Sequence, residues 1–88
     1  MRYILLLTVV LASNAFAAPD FDETMAAAKQ GRAYAQFNLG IMYDNGDGVP
    51  ENHVRAYVWL SMAKTQGYEN AKKAVETVKN QMTKQQIA

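Results

Sequence analysis

The sequence predicts an all-α fold, a short α-solenoid of antiparallel helix pairs, and three observations predict it. No stretch keeps for long the period-two alternation of a half-buried strand, and Pro19 and Pro50 are the only prolines. Between glycines at 31, 40, 46, 48 and 67, apolar residues instead recur at spacings of three and four, which lines one face of a helix. The chain also resembles itself at an offset of 36 residues: Phe21 pairs with Tyr57, Ala27 with Ala63, Gln30 with Gln66, Gly31 with Gly67, Ala35 with Ala71 and Leu39 with Val75. Recurrence near that period, built from paired helices, marks a stack of repeats.

Residues 1–17 stand apart from the stack. Arg2 gives a positive start, Tyr3 to Ala12 form an apolar run, and Ala15 and Ala17 flank Phe16 after polar Ser13 and Asn14. That order is the pattern of a secretory signal peptide, and cleavage is expected after Ala17. The apolar run is about half the roughly twenty residues a spanning helix needs, so no stable membrane insertion is expected once it is removed. The expected location is outside the cytoplasm, in a bacterial periplasm or beyond the cell. Small exported domains are often stapled by disulfides, yet this chain has no cysteine. Its stability must come from packed helices or from a partner.

A first helix is expected over about 22–30, opening on Asp22 and Glu23 and ending at Gly31. A second spans about 33–45, with Ala35, Leu39, Met42 and Tyr43 on its apolar stripe and Gly46 as its stop. Gly46-Asp47-Gly48 makes the turn and Pro50 leads to the next helix. A third runs from about Asn52, a good N-cap, to Gln66, with Ala56, Trp59, Leu60 and Ala63 facing inward and Gly67 behind it. A fourth covers about 70–82 along Ala71, Ala74, Val75 and Val78, with Glu69–Lys73 and Lys72–Glu76 as outer i,i+4 pairs. Thr83-Lys84-Gln85-Gln86 then reads as a capping box. It announces a helix that Ile87 and Ala88 only begin, so a shortened C-terminus is expected.

Once Arg2 is set aside, the remaining Lys and Arg equal the 8 Asp and Glu. The signs are segregated. Residues 18–52 hold Asp20, Asp22, Glu23, Asp44, Asp47 and Glu51 against Lys29 and Arg32. Residues 53–88 hold Arg55, Lys64, Lys72, Lys73, Lys79 and Lys84 against Glu69 and Glu76. Such a split suits head-to-tail self-association or an acidic partner, and it is far from the basic balance of a nucleic-acid binder.

The run Ala35-Gln36-Phe37-Asn38-Leu39-Gly40-Ile41-Met42-Tyr43, then Asn45-Gly46-Asp47-Gly48-Val49-Pro50, Ala56-Tyr57-Val58-Trp59-Leu60, Ala63 and Gln66-Gly67 resembles the Sel-one-like repeat, a relative of the tetratricopeptide repeat. The resemblance implies one complete repeat over 32–67, with half-repeats over 18–31 and 68–88, wound as a right-handed superhelix. It implies that Ala35, Leu39, Gly40, Tyr43, Gly46, Gly48, Ala56, Trp59, Ala63 and Gly67 are the structural positions. Family repeats usually carry an acid before the second helix, where this chain has Asn52 and His53. Asn52 can still cap.

Chemistry finds little to build on. With no Cys and His53 as the single histidine, neither a nucleophile–base pair nor a structural zinc site is expected, and no cofactor is. Asp44-Asn45-Gly46-Asp47-Gly48 fails as a calcium loop, because its third and fifth positions are glycines and its twelfth is Arg55. His53 is expected as a surface residue. Tyr43 and Trp59 are expected in the core, and Tyr34, Tyr57 and Tyr68 outside, where tyrosines serve interfaces. The implied function is an exported protein-interaction module, an adaptor or assembly factor. It would dock a peptide or helix in a groove lined by Tyr34, Asn38, Met42 and Asp44, with Arg55 beside them. The alternative is a periplasmic inhibitor or immunity protein that plugs an enzyme. Self-association through the solenoid ends stays open.

Overall fold

A computed structural model describes residues 20–82. The leader reading of 1–17 and the capping box from Thr83 lie outside the described residues. Those that are described form four helices and no strand: α1 (Phe21–Lys29), α2 (Ala33–Asn45), α3 (His53–Thr65) and α4 (Glu69–Met82). Every expected boundary lies within about two residues of these.

Local chemistry sets each end. The Asp20 carboxylate caps α1 by accepting from the Glu23 N–H at 3.0 Å, and Asp22 and Glu23 with Lys29 at the far end complement the helix dipole. Gly46 closes α2 at φ 71°, left-handed backbone that favours glycine. Asn52 caps α3, its side-chain oxygen accepting from the Arg55 N–H at 3.0 Å. On α4, Lys72 meets Glu69 one turn back at 4.0 Å, in place of the two expected i,i+4 pairs. Both side chains are mostly exposed there, so the contact adds little.

Consecutive helices pack against one another, α1 on α2, α2 on α3 and α3 on α4. The core collects Ala28 of α1, Ala35, Leu39 and Tyr43 of α2, Ala56 and Leu60 of α3, and Val75 and Val78 of α4. Met42, Ala63 and Ala71 are buried as well. Gly40 permits the closest approach. A Cβ built there would stand 2.5 Å from Leu60 Cγ and 3.2 Å from the Ala56 carbonyl oxygen, so α3 lies where only a bare backbone allows. Trp59 is only partly buried against the core. Tyr57 packs there too, and Tyr68 stacks on Phe37 with ring centroids 5.1 Å apart. The latter two are thus corrected from outside to half-buried.

A polar stitch runs through this packing. Gln36 is 2 % exposed, and its Nε2 donates to the Ala28 carbonyl at 3.2 Å. Gln66 Nε2 donates to Gln36 Oε1 at 2.8 Å and to the Gly31 carbonyl at 2.9 Å. The ends of α1 and α3 are thereby tied to α2, and a buried amide that would otherwise be costly is satisfied.

Candidate protein-binding cleft

Among the described residues, clefts open at two places. One lies between α1 and α2 and has a volume of about 270 Å³. Asp20, Glu23, Thr24 and Ala27 form its α1 wall, and Tyr34, Ala35 and Asn38 its α2 wall. Its floor is small: Thr24 and Ala35 are buried, and the Thr24 hydroxyl donates to the Asp20 carbonyl at 2.6 Å. Its rim carries the two carboxylates and the Tyr34 ring, which is 45 % exposed. Among the described residues, no Lys or Arg lines it.

The other, of about 450 Å³, lies where the α2–α3 loop meets α1. Phe21, Met25 and Val49 form its apolar part, and Glu51 and Arg55 its charged edge. Phe21 meets Tyr43 edge to face with ring centroids 5.8 Å apart. The Arg55 guanidinium carbon sits 5.9 Å from the Tyr43 ring centroid, within cation–π range.

The five residues read as a groove from sequence do not line one surface. Tyr34 and Asn38 share the α1–α2 cleft, while Arg55 belongs to the second cleft. Met42 is 7 % exposed and belongs to the core; one turn beyond Asn38, its methyl end lies close to the loop at Gly48. Asp44 faces His53: its Oδ1 accepts from Nδ1 at 2.8 Å, with the two side chains only 15 % and 10 % exposed. His53 is therefore no free surface residue. It buttresses the loop by joining the last turn of α2 to the first turn of α3, with Glu51 3.8 Å from its other ring nitrogen. Neither the His53–Asp44 pair nor the buried Gln36 was read from sequence. A family acid missing before α3, next to a histidine, was the one available sign of the former.

Nothing among the described residues gathers three potential metal ligands. No described helix is long and apolar enough to cross a membrane. The exposed Tyr34 ring on the rim of the α1–α2 cleft is the residue type that protein interfaces favour. Residues 33–68 match the family model of the Sel1 repeat. No curated protein and no solved structure matches the chain.

Proposed function

We propose that this chain, a member of the Sel1 repeat family through residues 33–68, is an exported adaptor or assembly factor that holds a helix or peptide of another protein. Sel1 repeats generally mediate protein–protein interaction, and the observation that carries the reading here is the α1–α2 cleft. Between α1 and α2 a cleft floored by Thr24, Ala27 and Ala35 lies beside Tyr34 and Asn38, and Tyr34 is exposed at its rim. Tyrosine gives large contact area with only two rotatable side-chain bonds to immobilise, which is why it recurs at binding hot spots. A site this small fits a short segment and a modest affinity.

Export rests on the leader pattern of residues 1–17, and places the partner in the periplasm or outside the cell. Capture from an extract of that compartment tests the reading. The tagged chain and a Tyr34→Ala, Asn38→Ala variant of equal helicity are compared, and the captured proteins are identified by mass spectrometry. A protein retained by the first and lost from the second supports the adaptor; if it is a hydrolase whose activity is blocked, the chain is an inhibitor. Equal capture by both removes the cleft from the function.

A further inference from the structure

We propose that the α1–α2 cleft is the seat of one particular kind of element: a basic amphipathic helix of another protein that completes the N-terminal half-repeat. The inference rests on the interaction reading above and adds the register and chemistry of the occupant.

The 36-residue offset maps the α1 wall, Asp20, Glu23, Thr24 and Ala27, onto Ala56, Trp59, Leu60 and Ala63 of α3. It maps Ala35 of α2 onto Ala71 of α4. Ala56, Leu60, Ala63 and Ala71 are each 0 % exposed; of their counterparts Thr24 and Ala35 are buried too, and the units differ at Asp20, which is exposed, and Ala27, which is half-buried. On α3 the cover is α2 itself, with Gly40 against Leu60 and the Ala56 carbonyl, and Gln36 clasped by Gln66. The walls of the cleft are thus the repeat of a surface that a helix covers.

Two differences between the units define what fits. Thr24 stands where Leu60 does, so the volume Leu60 fills against a bare glycine is left for a side chain of the occupant. That helix carries a long residue where α2 carries Gly40. Asp20 and Glu23 stand where Ala56 and Trp59 do, and among the described residues no cation lines the cleft. The long residue is therefore Lys or Arg, its stem over Thr24 and its head at the two carboxylates. A second copy is a poor occupant. In the same register its α4 presents Glu76 in place of Gly40, toward Asp20, and Lys73 in place of Phe37, toward the Arg32 that replaces Tyr68. Both pairs repel.

The probe is a capped peptide with the sequence of residues 33–45 carrying Gly40→Lys, titrated into the full chain and followed by amide NMR. The expected result is saturable shifts at Thr24, Ala27, Tyr34 and Asn38. Binding should weaken at least tenfold for the Gly40→Glu peptide and for Glu23→Lys protein. Short isolated helices form poorly, so each peptide is also fused ahead of Met1 through a flexible linker that supplies a high effective concentration. The Lys fusion should then melt higher than the Glu fusion, and the difference should vanish with Glu23→Lys. Equal melting of both fusions, or shifts confined to other surfaces, overturns the proposal. So does concentration-dependent self-association abolished by Glu23→Lys, or displacement of residues 1–17 from the cleft by the peptide. If these arms fail while Tyr34-dependent capture of a partner persists, the seat is wrong and the interaction reading stands.

Discussion

Gly40→Ala puts the helix contact at the centre of the repeat under direct strain. The added Cβ would stand 2.5 Å from Leu60 Cγ and 2.9 Å from its Cδ2, distances that packed atoms do not tolerate, and 3.2 Å from the Ala56 carbonyl oxygen. Leu60 is fully buried, so relief requires moving α3. Overpacking of this kind costs about 1–3 kcal/mol, against a helix-propensity gain of about 1 kcal/mol for replacing glycine by alanine. The net expectation is a destabilisation of up to about 2 kcal/mol, at about 4–8 °C of Tm per kcal/mol for a domain this size. A double-mutant cycle separates the two effects. Leu60→Ala alone should cost about 2–5 kcal/mol, but it removes the obstacle, so Gly40→Ala in that background should stabilise by about 1 kcal/mol. The four chains are compared by urea unfolding followed by helical circular dichroism, in trimethylamine oxide to keep the weakest folded. A coupling below about 0.5 kcal/mol, or a stabilising Gly40→Ala in the parent chain, would refute the packing argument.

Three further substitutions test neighbouring parts of the account. Asn52→Ala removes the oxygen that caps α3 and should cost about 1 kcal/mol, whereas Asn52→Asp should stay near the parent in the same unfolding assay. Gln36→Ala leaves the Ala28 carbonyl without its side-chain donor and Gln66 without one acceptor; a loss of about 1–3 kcal/mol is expected, and an unchanged Tm would show that water replaces the amide freely. His53→Ala detaches the α2–α3 loop from Asp44. It should cost about 1 kcal/mol and speed amide hydrogen exchange at residues 46–52 more than in α4.

The helices and their stops were legible because they rest on local chemistry. Gly46, Asn52 and the three-and-four spacing of Leu39, Tyr43, Ala56 and Leu60 act within one turn or one loop, and the offset of 36 residues fixed how the helices follow one another. What stayed hidden depends on tertiary distance. Gln36 sits mid-helix as an exposed polar residue would, and only Gln66, thirty positions on, makes its burial tolerable. His53 and Asp44 are nine residues apart across a turn whose path brings them to 2.8 Å. The candidate site was half legible for the same reason. Tyr34 and Asn38 lie one turn apart and share a cleft, but Met42, one turn further, falls under the loop and into the core. Exposure on a helix is decided by what crosses it, and the loop that carries Gly48 passes close to Met42.

The most direct test of the central claim is site-specific photo-crosslinking in the cell that makes the protein. A photoreactive phenylalanine analogue is placed at position 34, in the cleft, and for comparison at exposed positions 58 and 73. The account predicts one discrete crosslinked partner from position 34, lost when Glu23→Lys is added, and none from the other two. A folded chain that crosslinks equally from all three positions, or from none, would contradict it.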